Sequence, residues 1–572
     1  MRIASATFSK RSEPVQEATD TSVQTDERDR PVRSLSAQTR FLVERLNAPA
    51  GFWERITSKR DDAELLAQLA ESGELAAAVD VAPFVLSEQP SVARAAVAAL
   101  ERLLSAATPE DFARLDALFR ERSPYAGRYR MEWHRLAPSD LGRLEGFTRQ
   151  RDTLLGLVSF HQSGYVREEA VRRLARSAGG DELTFLLIRL NDWVGKVREA
   201  ARLAIGPRLS PGHADSFVKN LPLVTRLGQA ARADHSQFAG AVESLLKSAE
   251  CRDALLRGLR SNDRSVRRTC FRLAAEAEGA DVQAVLGRAL ADRDTVVRLW
   301  AARQVSAGLA GEAAGRLLEV MSGDHFMPVR REALRALIRL APERAAAELR
   351  RVLFDPNASV REEARYHLRK AGEVDFASTY RDALMDAEDG ALYAVVSGIG
   401  ETGTASDDRA VLPYASHSSA KIRRAAIKAL AGLNGGEHLA AFVNALRDDV
   451  PAVSREARKA LTGRAAAAGG GRLWGLFSAS FPPHVRRNAL HLLSRLDKWD
   501  AVYYLIRATG DPDAKIAEAS RLGVARWLSR FNRSFSAPTP EQVSRLKSAL
   551  LEHGHLLEAS VREQLSFSVK GF

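Results

Sequence analysis

Gly398-Ile399-Gly400-Glu401-Thr402-Gly403 has the spacing of a dinucleotide-binding loop, G-x-G-x-x-G. That chemistry needs a strand before the first glycine and a helix after the last, so that backbone N–H groups meet a pyrophosphate. The flanking residues supply neither. These glycines are expected where one helix ends and a connector begins, with no nucleotide bound. His553 and His555, beside Glu552 and Glu558, suggest a metal set. Residues two apart point to different faces of a helix, and no Cys or His partner lies nearby, so no metal site is expected. The chain has no H-E-x-x-H, no G-x-S-x-G and no Walker sequence. Its Ser, His and Asp residues form no group, so no catalytic residue is assigned and no cofactor is expected.

The chemistry that remains is recognition by charge. One row of basic residues runs Arg94, Arg268, Arg331, Arg424, Arg455 and Arg487, interrupted by Glu168, Glu199, Glu362 and Glu518. A second row, without a carboxylate, runs Arg172, Arg272, Arg303, Arg335, Lys428, Lys459 and His491. Four like-charge pairs stand four residues apart: Arg268/Arg272, Arg331/Arg335, Arg424/Lys428 and Arg455/Lys459. Each costs about 0.2–0.5 kcal/mol in an isolated helix. Either the rows bind something anionic, or carboxylates on adjacent helices and solvent neutralise them. A separate segment, 122–140, interleaves Tyr125, Tyr129 and Trp133 with Arg128, Arg130 and Arg135. Such a mixture can stack on bases while holding phosphates or form a protein-binding hot spot. It can also fold back on the chain and fill core gaps.

The elements that position these residues follow from a repeated phrase, Val/Ile-Arg-x-x-Ala-x-x-x-Leu. It is clear at Val166, Val197, Val266, Val297, Val329, Val360, Ile422 and Val485, with looser copies at Val92, Leu392, Val453 and Ile516. From Val266 to Ile516 the steps are 30–32 residues. A period of this size sustained this long means stacked supersecondary units. In the copy at Val329, residues Val329, Ala333 and Leu337 fall on one helix face. Alanine suits the middle position because neighbouring helices approach closely there. Each unit thus reads as a first helix, a turn, a second helix and a connector. Numbering the repeat Val as zero, the basic rows occupy positions 2 and 6, opposite the buried positions 0, 4 and 8.

This pattern resembles the HEAT repeat, in the short bacterial form named after the phycobilisome-lyase HEAT-like proteins, over roughly residues 75–530. The resemblance implies an all-α solenoid, a right-handed superhelix of antiparallel helix pairs with roughly twelve or more layers. It implies that the second helices line a concave face carrying the basic rows. It also implies a ladder between successive units, formed by an Asp before each turn and the Arg after the repeat Val; Asp192 with Arg198, Asp263 with Arg267, Asp324 with Arg330, and Asp355 with Arg361 fit it. Ala93, Tyr393, Ser454 and Ala517 replace that Arg, so four layers should be weaker. Some HEAT-like bacterial DNA glycosylases act with a basic cleft, but their catalytic residues find no counterpart here. The family name also suggests a chromophore lyase, which no residue supports.

Bulk properties agree with a solenoid. The chain has 572 residues, 45% hydrophobic and 27% charged, enough to bury a core along one axis. Its net charge of +12 favours anionic partners, although an arginine-rich, GC-rich bacterial composition would raise it too. Cys251 and Cys270 cannot make a disulfide framework and read as core residues in a reducing compartment. No signal peptide and no membrane span is expected, so a cytoplasmic location follows. Five segments result: a disordered polar tail at 1–35; N-terminal helices and a first repeat at 36–121; the aromatic and basic insertion at 122–140; the solenoid at 141–530; and capping helices at 531–572. Thr539-Pro540-Glu541-Gln542 reads as an N-cap, a Pro at N1 and a capping-box Gln, opening a helix to about Glu552. The function expected is a non-enzymatic scaffold that binds an acidic protein partner along the basic rows: Arg268, Arg272, Arg303, Arg331, Arg335, Arg424, Lys428, Arg455, Lys459 and Arg487. Tyr125, Arg128, Tyr129, Arg130 and Trp133 form a second candidate contact. The alternative is binding of a nucleic-acid phosphate backbone.

Overall fold

The computed structural model describes residues 35–48, 61–121, 129–230, 232–308, 311–340, 342–479, 481–533 and 536–570. The tail expected at 1–35 lies outside them, save for residue 35, and so do residues 122–128. Every regular element among the described residues is helical, as an all-α solenoid requires. The chain divides into two compact units, Met1–Val297 and Arg298–Phe572.

The first unit opens with a helix at Ala37–Asn47, capped by Ser36, whose hydroxyl accepts from the Thr39 N–H. Asp61 caps the next helix, Asp62–Glu71, which packs on Pro90–Leu104 and its buried Val92, Ala96 and Leu100. Regular pairs follow: Arg151–Val158 with Gly164–Leu174, Leu183–Leu190 with Gly195–Ile205, and Arg252–Gly258 with Arg264–Glu276. The break between Val92 and Val166 is filled by the helix Pro109–Glu121, the short helix Arg130–His134 and a 3-10 stretch at Pro138–Gly146. The break between Val197 and Val266 is filled by Ala214–Lys219, Leu221–Leu227 and Ser236–Lys247. Helices from both breaks meet: Pro109–Glu121 and Leu221–Leu227 pack on each other and on Leu183–Leu190.

The second unit is more regular. Its pairs include Gly311–Ser322 with Met327–Leu340, Pro342–Val352 with Ala358–Lys370, Phe376–Asp386 with Asp389–Thr402, Leu439–Ala445 with Pro451–Leu461, and Gly470–Ser478 with Pro483–Leu493. Second helices also pack on second helices: Ala420–Asn434 lies between Asp389–Thr402 and Pro451–Leu461. The last helices are Pro540–His553 and Ala559–Lys570. The first of these carries the capping box read from Thr539 and Gln542.

The repeat phrase is the core. Val166, Val197, Val266, Val329, Val360, Ile422 and Val485 are buried, as are Ala170, Ala201, Ala333, Ala364, Ala426 and Ala489 four residues on. Small residues there permit close helix approach. Cys270 takes the alanine place opposite Gly258, where an added Cβ would lie 2.4 Å from the Cys270 Sγ. Burial pushes the Cys270 thiol up to about 12. Both cysteines are free and buried.

Candidate functional site

Two kinds of arginine project from the second helices, and the structure separates their roles. The first kind follows the repeat Val. Arg330 donates from Nε and Nη2 to Asp355 at 2.7 and 2.8 Å, and from Nη1 to the Asp324 carbonyl at 2.7 Å. Arg167 with Asp192, Arg267 with Asp292, Arg298 with Asp324, Arg423 with Asp448 and Arg486 with Asp511 repeat this link. Each Asp also accepts from an N–H two residues ahead, as Asp192 does from Val194 and Asp448 from Val450. One carboxylate therefore fixes its own turn and receives the guanidinium of the preceding unit.

The ladder joins successive units, as expected, but not through the Asp–Arg pairs named from the sequence. Asp324 and Arg330 do touch, but through the Asp324 backbone carbonyl. The carboxylate of Asp324 belongs to Arg298. Arg198 likewise bonds to the Asp192 carbonyl at 2.7 Å. The guanidinium fork explains the geometry: one Nη reaches back to the turn, and the Nε edge remains for the next unit. Arg361 departs from the pattern and pairs with Glu401. Ser454, which replaces a ladder Arg, donates to the Leu446 carbonyl at 2.7 Å and accepts from Asn488 at 2.8 Å.

The second kind comprises the two basic rows. Arg268 pairs with Asp294 at 2.7 Å and Arg272 with Glu243 at 2.7 Å. Arg331 and Arg335 share Glu363, each at 2.6 Å. The Arg272 hydrogen bond holds Glu243 below the usual carboxylate range. Burial pushes Glu363 up, but the bonds from Arg335 and Arg331 outweigh it and hold Glu363 down. All four arginines are paired by neighbouring elements, four guanidiniums to three carboxylates. Arg303, Lys428, Arg455 and Arg487 are exposed and have no ion-pair partner among the described residues.

The charge is least compensated on the helices Ala420–Asn434, Pro451–Leu461 and Pro483–Leu493. There Arg424, Lys428, Arg455, Arg458, Lys459 and Arg487 meet one carboxylate in ion-pair reach, Glu456, 3.9 Å from Arg424 and 3.5 Å from Lys459. Burial lowers the Arg458 guanidinium, and the charges of Arg455 and Arg495 lower it further. Burial likewise lowers His491, helped by Arg458 and Arg495. Arg458 and Arg495 lie outside the two rows, and counting positions 2 and 6 alone missed them.

The aromatic segment divides differently. Tyr125, Arg128 and the side chain of Arg130 lie outside the described residues. Trp133 is 8% exposed, with its ring 5.8 Å from Phe119 and 6.2 Å from His161. Its carbonyl is 2.7 Å from His161 Nε2. A partner contact at Trp133 is therefore corrected: the ring fills the core. Tyr129 is half-buried, sits edge-on to Phe84 at 5.2 Å and receives a hydrogen bond from Ser87 at 3.2 Å.

The glycine motif is a packing device. Gly398 and Gly400 lie inside the helix Asp389–Thr402. A Cβ on Gly398 would meet the Tyr380 ring at 2.3 Å, and one on Gly400 would lie 2.7 Å from the Ala429 Cα. Among the described residues no three His, Cys, Asp or Glu side chains converge as metal ligands. No described helix is long and apolar enough to cross a membrane.

No family model matches the chain, and no curated protein sequence matches it. Solved structures with a similar helical arrangement include yeast importin-β (Kap95p), at 12% identity over 93% of this chain and 66% of that one, with a TM-score of 0.30. The S. pombe condensin Cnd3–Cnd2 subcomplex aligns at 12% identity over 92% of this chain and 86% of that one, with a TM-score of 0.33. An importin-β crystallised with ammonium sulfate gives 11% identity, 92% and 80% coverage, and a TM-score of 0.32. The chain spans about two thirds of the length of the yeast importin-β chain.

Proposed function

We propose that the chain is a non-enzymatic HEAT-repeat scaffold that holds an acidic protein segment on the second helices between Ala420 and Leu493. The carrying observation is the charge imbalance there: Arg424, Lys428, Arg455, Arg458, Lys459 and Arg487 stand against Glu456 alone. A cationic surface in such excess on packed helices steers an acidic partner and fixes its register. Arg268, Arg272, Arg331 and Arg335 serve the stack, because each is already held by a carboxylate of an adjacent unit, Arg331 and Arg335 by the same one.

The test compares a glutamate-rich peptide with single-stranded DNA of equal charge. Binding of each is titrated against salt, with wild type and Lys428→Glu/Arg455→Glu/Arg487→Glu. The peptide should bind wild type and lose most of its affinity for the variant, with helical content unchanged. The reading fails if DNA binds tighter than the peptide and its log affinity falls against log salt with a slope of about 0.7 per phosphate contacted. That outcome assigns the same arginines to a nucleic-acid backbone.

A further inference from the structure

Helices from the two breaks in the repeat rhythm enclose a groove. Helices Pro109–Glu121, Leu183–Leu190 and Leu221–Leu227 surround a space of about 480 Å³. Leu187, Leu223 and Leu227 contribute apolar surface. Trp193, 65% exposed, stands at one wall with the Arg232 guanidinium 3.8 Å over its ring.

Beneath the groove runs a chain of alternating charges. Arg167 pairs with Asp192 at 2.8 Å, Asp192 with Arg189 at 2.7 Å, Arg189 with Asp116 at 2.6 Å, and Asp116 with Arg120 at 2.8 Å. It begins and ends on a cation. Three guanidiniums face two carboxylates, which leaves one positive charge in excess. Arg189 and Asp192 are buried, so water compensates the charge poorly there, while Arg120 at the groove end is 26% exposed. Two polar atoms at the groove lack a partner: Arg189 Nε and Asn191 Oδ1. Arg189 is 1% exposed. A buried donor without an acceptor costs free energy unless a ligand supplies one. Arg226, on the rim, has no ion-pair partner among the described residues.

We propose that this groove is a carboxylate-binding site that takes a carboxylate on an apolar body, either the acidic side chain of a peptide or a free organic acid. The carboxylate supplies the missing third anion. A turn of the Arg189 side chain, whose Nε is itself closed to solvent, brings that donor to one oxygen, and Arg226 closes over the group. Asn191 can turn either end of its amide to the ligand. The apolar body lies on Leu187, Leu223 and Leu227, beside Trp193. A groove of this size suits a small ligand or one to two side chains. The inference does not depend on the basic helices of the second unit.

Calorimetric titration of the full chain tests it, with phenylacetate, the dipeptide acetyl-Phe-Glu-amide, and neutral phenylacetamide as probes. A carboxylate probe should bind one to one, and phenylacetamide at least about tenfold more weakly. Ala117→Trp, which fills the groove, should abolish binding. Arg226→Gln alters an exposed side chain, so it should weaken binding several-fold with the fold intact by circular dichroism. Binding of phenylacetate alone assigns a free acid, and binding of the dipeptide alone assigns an acidic peptide. The proposal is overturned if neither acid binds wild type, if phenylacetamide binds as tightly as phenylacetate, or if Arg226→Gln binds as wild type does.

Discussion

Replacing Asp192 with Asn keeps the side chain's shape and removes its charge. The carboxylate accepts from Arg167 Nε and Nη2 at 2.9 and 2.8 Å, from Arg189 Nη1 at 2.7 Å and from the Val194 N–H at 2.9 Å. Asn can still accept from Val194. It offers an N–H group where Arg167 or Arg189 needs an acceptor, and it leaves two buried guanidiniums facing one carboxylate fewer. Breaking a buried pair from one side costs about 3–5 kcal/mol. The same change at Asp448, whose pair with Arg423 is 11% and 19% exposed, should cost about 1 kcal/mol. Amide hydrogen exchange distinguishes the two. At about 1.4 kcal/mol per tenfold, Asp192→Asn should speed exchange across 109–121 and 151–205 by about two to three and a half orders of magnitude, and Asp448→Asn across 420–461 by about fivefold. Each effect should stay with neighbouring helix pairs, since repeats contact only their neighbours. Equal speeding at the two sites, or speeding spread evenly along the chain, would refute the ladder argument. The pH sense is fixed as well. Burial raises Asp192, but the bonds and charges of Arg167 and Arg189 outweigh it and hold the group low. Its stabilisation is therefore present above the ordinary carboxylate value of about 3.9 and is lost as pH falls through the lowered one.

Three further outcomes are expected. Ala333→Glu should lower the melting temperature of the second unit, because overpacking costs about 1–3 kcal/mol and a buried carboxylate adds desolvation; an unchanged melt would place Ala333 outside the core. Gly400→Ala should destabilise more than Gly390→Ala, where an added Cβ meets nothing within 4 Å, and urea unfolding of the two variants makes the comparison. His161 is held low by burial, against the upward pull of its bond to the Trp133 carbonyl. Stability should therefore decline as pH drops from about 6.5 toward that lowered value, and His161→Gln should remove this part of the decline in a pH series of melts.

The fold was legible because one constraint recurs. Val329, Ala333 and Leu337 repeat at fixed spacing, and close packing leaves little choice at Val329 and Ala333, which are buried; Leu337 is half-buried. The cap at Thr539 was equally local and readable. What sequence could not supply was the partner across a layer. Arg331 and Arg335 look like an unpaired row until Glu363, 32 and 28 residues on, is seen to take both. Asp324 stands six residues from Arg330, yet its carboxylate goes to Arg298. Trp133 was misplaced for a related reason: its neighbours Phe119 and His161 come from separate segments and share no period. Arg458 and Arg495 escaped notice because they sit between repeat positions.

The Asp–Arg link bears on how such a chain can grow. A unit like that of Asp324 and Arg330 carries a socket at its turn and a plug on its second helix. Duplicating it in tandem sets each new plug beside a matching socket, so copies join without any further change. The joint between Ser454 and Asn488 follows another rule. It is a hydroxyl–amide match made for one neighbour, and either half moved elsewhere would meet an aspartate or an arginine. Insertion, deletion and swapping of units should therefore be tolerated among the charged joints and rejected at this one. It marks a fixed point, as the Arg361–Glu401 joint does, in a series joined mostly by Asp–Arg links.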